Sequence, residues 1–347
     1  MNRVAGLDSI RFILALFVLL YHIGHSHIYN FIDRTTIVGK FISAGLDCLF
    51  NGPAAVIVFF IISGFCIHYP YIKKRSFRLI NFYARRYIRI MLPVLTCYIL
   101  IYIYGEGNNP FTEIIGWSIF CELIYYTIYP LILNIIRYIN INLVLCISFV
   151  ISLFWVWYIN PNALMYPSYG VLGNATLGLP CFLLGMVLAN YSMTRKFIVT
   201  KNIYVIRSSI LFLSSICFSL MLHLKVGFPW TLNFFAIFAV VWLYHEIMHF
   251  RLFPPSKLLE WAGKWSYSLY LVHGLILVLY KGHNIDPYET TLEWLILLIS
   301  ILIGSYIFYL IVEKPSHILS YKFPQTAILM KQKINFINLK TFHYFRN

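Results

Sequence analysis

Residues 7–22 read LDSIRFILALFVLLYH, an apolar run interrupted by two charged residues, Asp8 and Arg11. Its length approaches the roughly 20 apolar residues that cross a bilayer as a helix. A charge at membrane depth costs about 2.5–3.5 kcal/mol on insertion scales, so ionisable groups there are usually functional. The stretch therefore predicts a membrane-spanning helix in which Arg11 and His22 are candidates for function.

Arg11 and His22 are eleven residues apart, which places them on one side of a helix. Eleven steps of 100° pass three full turns by about 20° and rise about 16.5 Å. This arrangement fits a channel entered from the cytoplasm, with an anion contact at its mouth and a base in its depth. The alternative is that Arg11 reaches lipid headgroups and His22 is an ordinary buried histidine, and the spacing alone does not choose.

The whole chain of 347 residues has the composition of a polytopic membrane protein. Hydrophobic residues make up 60% and charged residues only 11%, against about 25% charged residues in soluble domains. These figures exclude disordered, collagen-like and disulfide-rich proteins, and the seven cysteines include no C-x-x-C pair that would indicate a thiolate metal site. In so apolar a chain the net charge of +15 indicates membrane topology rather than nucleic-acid binding.

Ten apolar runs predict an all-α, polytopic integral membrane protein with about ten transmembrane helices. The runs are 10–28, 52–72, 88–104, 115–136, 141–159, 177–192, 203–222, 228–248, 265–281 and 292–312. With the N-terminus inside, 22 of the 27 lysines and arginines fall in cytoplasmic segments and four in outer loops. Because cations accumulate on the cytoplasmic side, this distribution predicts that both termini are cytoplasmic.

The runs show no internal repeat and no linker, so residues 1–320 are interpreted as a single transmembrane domain. Residues 321–347, in which lysines alternate with aromatic residues, are interpreted as a cationic and aromatic cytoplasmic tail. Charged residues interrupt the first run and no small-residue cleavage site follows it, so we expect no cleaved signal peptide.

Seven cations lie between residues 73 and 89, where one run ends and the next begins. Arg85 and Arg89 are one helical turn apart and Arg86 is adjacent, so a helix presents all three together. Guanidinium groups in such a cluster bind phosphate bidentately, which lysines do less specifically. The cluster is therefore either a phosphate site or an anchor that fixes topology.

The fourth run begins with Trp117 and places Ser118 and Glu122 on one helical face. A carboxylate within the membrane is paired, protonated or catalytic. Glu122 is therefore expected to hold His22 or Arg11 in place, unless it belongs to a purely structural ion pair.

The ninth run contains Tyr270 and His273, three residues apart on a predicted helix. At this spacing the two side chains either share a polar cavity or simply pack in the core. Taken alone, the pair favours packing.

Residues 245–249 contain the pattern H-E-x-x-H. On a helix it places His245 and His249 on one face beside Glu246, as in zinc metalloproteases. A catalytic zinc needs a third protein ligand, and neighbouring runs offer no plausible Glu or His partner. An intramembrane zinc protease is therefore the weaker alternative, and we expect no metal.

Taken together, these segments resemble the membrane-bound acyltransferase-3 family, whose members O-acylate surface glycans and related acceptors. Arg11 and His22 are similar to the family's R-x10-H pair, although Ser9 and Phe12 depart from the small residues common in that motif. The other matching segments are FFIISGFCI (59–67), FYARRYIRIMLP (82–93), WSIFCELIYYTIYP (117–130), SYSLYLVH (266–273) and VEKP (312–315). Each motif is weak alone, but six in order over about residues 7–315 are specific.

The resemblance implies that the domain transfers an acyl group, most often acetyl, from cytoplasmic acyl-CoA to a hydroxyl of an extracytoplasmic saccharide such as O-antigen or exopolysaccharide. It implies a stand-alone O-acetyltransferase of the bacterial cytoplasmic (inner) membrane, with acetyl-CoA as donor co-substrate. The expected partners are acyl-CoA, a glycan or lipid-linked saccharide, and membrane lipids, with no nucleic acid.

The matching motifs also imply roles for site residues. The expected catalytic residues are His22, Arg11 and Glu122. The expected donor-binding residues are Arg85, Arg86, Arg89, Trp117 and Ser118. The expected acceptor-binding residues are Ser63, Tyr270 and His273. A transporter of lipid-linked saccharide without acyl chemistry is a second alternative, because it would need similar intramembrane charges.

Overall fold

The structure is a computed structural model. It describes residues 4–24, 31–72, 77–104, 116–194, 202–282 and 290–322. Within these ranges the chain is almost entirely helical and contains no strand, which confirms the predicted all-α class. The predicted tail lies outside the described residues from position 323 onward, and the domain boundary at 320 stays a prediction.

Twelve α-helices make up the described chain. They are α1 (Leu7–Ile23), α2 (Ile37–Leu49), α3 (Gly52–His68), α4 (Leu79–Tyr104), α5 (Trp117–Ile135), α6 (Ile141–Ile159), α7 (Gly170–Thr194), α8 (Ile203–Leu224), α9 (Phe228–Leu252), α10 (Lys257–Gly263), α11 (Ser266–Gly282) and α12 (Thr291–Phe308). A π-helical turn, Tyr309–Glu313, follows α12, and the chain then stays helical to residue 322.

Each of the ten predicted runs overlaps one of these helices. Eight helical segments of the described chain are long and apolar enough to cross a membrane. The two predicted runs outside that set fall on α1 and α11, which have 17 residues each. The protein is thus an integral membrane protein by its helices, while the count of ten spans and the cytoplasmic placement of both termini stay predictions.

Two helices lie where the sequence predicts connecting segments. α2 begins at a Thr36 cap and packs on α8, with Ile37, Val38 and Phe41 largely exposed. α10 has only seven residues and packs on α1. Helices this short or this amphipathic do not produce the long apolar run by which spans are recognised.

α3 and α7 form the centre of the bundle. α3 is apolar on all sides and also contacts α1, α5 and α9, as expected of a helix buried all round. A Cβ atom on Gly64 would lie 1.9 Å from the Phe182 carbonyl oxygen, and one on Gly185 would lie 1.9 Å from the Ile61 carbonyl oxygen. Small residues let membrane helices approach this closely, so these two glycines set the separation of α3 and α7.

Glu260 of α10 holds the first turn of α1. Its Oε1 accepts hydrogen bonds from the N–H groups of Gly6 and Ser9, both at 3.1 Å, and from the Ser9 hydroxyl at 2.7 Å. A carboxylate here satisfies free N–H groups and complements the helix dipole. The Phe12 ring packs edge-on against Trp265 at 5.1 Å between centroids. Ser9 and Phe12, the two departures from the family's first motif, therefore both help to hold α1 in place.

Replacing Gly64 by alanine should destabilise the bundle by about 1–3 kcal/mol, because the added methyl group overpacks the contact with α7. Thermal unfolding of the detergent-solubilised protein measures the effect. Gly45→Ala is the matched control, because a Cβ there meets nothing within 4 Å and alanine favours the helix by up to about 1 kcal/mol. Equal melting temperatures for the two variants would contradict the close approach of α3 and α7.

Candidate active site

A polar cavity of about 160 Å³ lies between α1, α3, α4, α5 and α11. Its walls include seven of the residues predicted for the site: Arg11, Ser63, Arg86, Arg89, Ser118, Glu122 and Tyr270. These residues come from five helices, so the fold brings together side chains that are far apart in the sequence. The placement agrees with a shared site, while the role of each residue stays a prediction.

The Arg11 guanidinium lies on the wall of the polar cavity, and its side chain is 26% exposed. Its Nη1 donates to Asp8 Oδ1 at 3.3 Å and its Nη2 donates to Cys66 Sγ at 3.3 Å. An arginine that faces a polar cavity and a carboxylate avoids the cost of exposure to lipid. The alternative in which Arg11 serves only to reach lipid headgroups does not fit this position.

Glu122 is held by two hydroxyl groups. Its Oε1 accepts hydrogen bonds from Ser63 Oγ at 2.8 Å and from the Tyr126 hydroxyl, and these two hydroxyls are 2.9 Å apart. The two hydroxyls reach the carboxylate because Tyr126 is one helical turn further along α5 and α3 brings Ser63 against it. Among the described residues no hydrogen bond joins Glu122 to His22 or Arg11, but Glu122 and Arg11 line the same cavity, so the expectation that Glu122 holds one of them stays a prediction.

The three arginines of α4 form one cationic wall. Arg86 and Arg89 line the polar cavity, and all three line a smaller neighbouring pocket with His317 and Tyr321. The Arg85 guanidinium lies 5.1 Å from the centre of the Tyr321 ring, and its buried Nε has no hydrogen-bond partner within the described ranges. The wall can therefore accept an anion from either side.

The three cations Lys73, Lys74 and Arg75 belong to the same predicted cluster. They lie outside the described residues. The phosphate-site interpretation therefore rests on the α4 arginines alone.

Glu313 lines the same cavity, and sequence reasoning gave it no role. It is 4% exposed and ends the π-helical turn. Its Oε2 accepts hydrogen bonds from the Ser268 N–H at 3.1 Å and the Ser268 hydroxyl at 2.6 Å. The carboxylate thus caps the first turn of α11 and adds a negative charge opposite Arg11 and Arg89. The available sequence sign was an acid inside the VEKP motif at the end of an apolar run, because ionisable residues at membrane depth are usually functional. The structure adds a π-helical turn there, and such turns are frequent at functional sites.

The histidine pair lies beyond the end of the polar cavity. The Tyr270 hydroxyl and Ser118 Oγ are 2.6 Å apart on the cavity wall. The His273 ring is 5.9 Å from the Tyr270 ring and 5.2 Å from the half-buried His22 ring, between centroids. Neither histidine is among the residues of the cavity wall, whereas Tyr270 lies on the wall and its ring contacts His273. The expectation that Arg11 and His22 face one continuous cavity stays a prediction.

Trp117 lies away from the cavity wall as well. Its ring stacks on Tyr166 at 5.4 Å between centroids and an interplanar angle of 7°. It also meets the Phe60 ring edge-on at 6.3 Å. Trp117 therefore supports the helix that carries Ser118 rather than facing the cavity.

The H-E-x-x-H segment forms an ion pair in the structure. Arg207 donates from Nε to Glu246 Oε1 at 2.6 Å and from Nη2 to Oε2 at 2.9 Å. Trp242 Nε1 also donates to Oε1, at 2.9 Å. Among the described residues, no three His, Cys, Asp or Glu side chains are grouped so that they could hold a metal. Glu246 is therefore engaged with Arg207 and not free to act as a general base.

Comparison with known proteins identifies the class. A family model described as an acyltransferase domain matches residues 4–310, so the chain is a membrane acyltransferase. It belongs to the acyltransferase-3 family, as its motifs predicted. No curated protein and no solved structure matches the chain. The family match favours acyl transfer over the transporter and protease alternatives.

Glu246→Gln should lower thermal stability, because it leaves the Arg207 charge without its carboxylate partner and a lost charged hydrogen bond costs about 1.5–3 kcal/mol. Arg207→Gln should lower it similarly, and the double variant should lose less than the sum of both. The measurement is thermal unfolding with zinc and with a chelator. Stabilisation by zinc, or strict additivity, would contradict the ion-pair assignment.

Proposed function

We propose that this membrane acyltransferase takes an acyl group, acetyl first among the candidates, from cytoplasmic acyl-CoA and transfers it to a hydroxyl of an extracytoplasmic saccharide such as O-antigen or exopolysaccharide. The observation that carries the proposal is the grouping of Arg11, Arg86 and Arg89 around one cavity. Helix α4 begins next to the cation-rich segment that the charge distribution places in the cytoplasm. We place the protein in the bacterial cytoplasmic (inner) membrane.

The donor would enter from the α4 side. CoA carries several phosphates, and the cationic wall of Arg85, Arg86 and Arg89 suits them because guanidinium binds phosphate bidentately. The long pantetheine arm would then extend through the polar cavity past Arg11 and towards Ser118. Trp117 takes a supporting role in this arrangement, because its ring stacks on Tyr166.

The polar side chains of the cavity divide between the two substrates. Arg11 is assigned to the negative charge of the donor, because its guanidinium lines the same cavity as Arg86 and Arg89. Ser63 hydrogen-bonds to Glu122, so we now assign Ser63 to holding that carboxylate instead of the acceptor. Glu122 in turn fixes the hydroxyls around the donor arm. Tyr270 and His273 lie towards His22 and stay on the acceptor side of the proposal.

The reaction joins the acceptor oxygen to the acyl carbon. As that bond forms, the acceptor O–H bond breaks and its proton passes to neutral His22, while the C–S bond breaks and its electron pair stays on the CoA sulfur. In the covalent variant, a His22 nitrogen bonds to the acyl carbon as the C–S bond breaks and its electron pair stays on the CoA sulfur. The acceptor oxygen then bonds to the acyl carbon, the C–N bond breaks and its electron pair returns to the imidazole, and the hydroxyl proton neutralises the thiolate. Both routes need the imidazole of His22, and a positioned base contributes roughly 10²–10⁴-fold.

His22→Ala should reduce acyl transfer by at least about 100-fold, because it removes the proton acceptor. The measurement is transfer of label from acetyl-CoA to a glycan acceptor by the purified protein. His223→Ala removes an exposed histidine at the end of α8 and should leave the rate unchanged. Normal transfer by a well-folded His22→Ala protein would remove His22 from the mechanism.

Arg89→Ala and Arg85→Ala should each raise the KM for acetyl-CoA by about 10- to 100-fold, since a lost charged hydrogen bond costs about 1.5–3 kcal/mol. The kcat should change less. Arg137→Ala is the matched control, because Arg137 is an exposed arginine that the charge distribution also places in the cytoplasm. An unchanged KM in the α4 variants would mean that these arginines only fix topology.

A further inference from the structure

His273 has one free ring nitrogen, and its hydrogen bonding identifies which one. Nδ1 lies 3.2 Å from the Leu269 carbonyl oxygen. A carbonyl oxygen only accepts, so Nδ1 carries the proton and donates. In a neutral imidazole the other nitrogen, Nε2, then holds a lone pair. Nε2 is buried and has no hydrogen-bond partner within the described residues.

A buried acceptor without a partner is unusual and costs free energy, so a group that donates to it is expected. His273 is 1% exposed, which keeps bulk water from serving as that donor. The nearest candidate is His22, whose ring centroid is 5.2 Å from that of His273. The two rings make no hydrogen bond in the structure. Each ring nitrogen lies about 1 Å from its centroid and a hydrogen bond spans about 3 Å, so turning the His22 ring until one of its nitrogens faces Nε2 brings the two nitrogens within hydrogen-bond distance.

We infer that His273 is the positioning residue of the His22 imidazole: its Nε2 accepts a hydrogen bond from an N–H of His22 and so leaves the other His22 nitrogen as the base or nucleophile. The inference rests on the proposed function and deepens it. It moves His273 from an acceptor-binding residue to one that acts through His22. The physical logic is that of catalytic histidines in general, whose active tautomer is set by the partner of the opposite ring nitrogen.

The arrangement accounts for the proton during transfer. When His22 takes the proton from the acceptor hydroxyl, both its nitrogens carry hydrogen and the ring becomes positive. The lone pair on His273 Nε2 then stabilises the His22 N–H that faces it. In the same step the acyl carbon forms a bond to the acceptor oxygen and its bond to the CoA sulfur breaks. The His22 proton finally neutralises the thiolate, so no other reactant is needed.

Three substitutions of His273 separate this role from a structural one. Gln keeps an acceptor oxygen near the position of Nε2, Asn keeps a donor near the position of Nδ1 for the Leu269 carbonyl, and Phe keeps only the ring volume. We expect the His273→Phe and His273→Asn variants to have a kcat about 100–1,000-fold lower, since a missing hydrogen bond to a reacting group costs in this range. The His273→Gln variant should retain at least about ten times the kcat of His273→Asn. KM for donor and acceptor should change less than about twofold, because His273 would not bind either substrate.

The experiment measures kcat and KM for label transfer from acetyl-CoA, with thermal unfolding to verify that each variant is folded. Full activity of the His273→Asn or the His273→Phe variant would overturn the inference. A better rescue by Asn than by Gln would also overturn it, because only the bond to Leu269 would then matter. Failure of the proposed function gives a different result, because the wild-type protein would then transfer no acyl group. If only the inference about His273 fails, the wild-type protein still transfers the acyl group and His22→Ala does not.

Discussion

The arrangement of the helices depends on one requirement, namely that the Arg11 guanidinium has a polar environment inside a membrane helix bundle. Arg11 lies in the second turn of α1, directly before the long apolar segment of that helix, where an unsolvated charge would cost several kcal/mol. Asp8, Cys66 and the polar cavity supply that environment, and Glu260 fixes the turn of α1 from which Arg11 projects. The opposing acids Glu122 and Glu313 complete a cavity in which cations and carboxylates are both present.

The cavity and the histidine pair form one row of polar groups through the bundle. Arg86 and Arg89 line the wall shared with the smaller pocket, and Ser118 with Tyr270 lies on the wall next to the imidazoles. His273 follows Tyr270 by one helical turn on α11, and its ring contacts His22. Tyr270 is therefore the side chain that joins the wall of the cavity to the histidine pair.

Much of the fold and part of the candidate site follow from local sequence. Hydropathy located ten helices because each contains a long apolar run, and the i, i+4 spacing placed Ser118 and Glu122 on one wall. What could not be predicted depends on distant contacts. Glu122 binds Ser63 of α3, and Glu313 binds Ser268, and neither partner stands near its acid in the sequence. The spacing of Arg11 and His22 gave their shared helix side but not the contact of the His22 ring with the His273 ring of α11.

The central claim is that an acyl group crosses the bundle from a donor on one side to an acceptor on the other. The most direct measurement uses sealed vesicles that hold the protein with its cation-rich side outward, enclose the glycan and receive labelled acetyl-CoA outside. The claim predicts label on the enclosed glycan and an equal amount of free CoA thiol outside. Label transfer only when donor and glycan share one side of the membrane would contradict it.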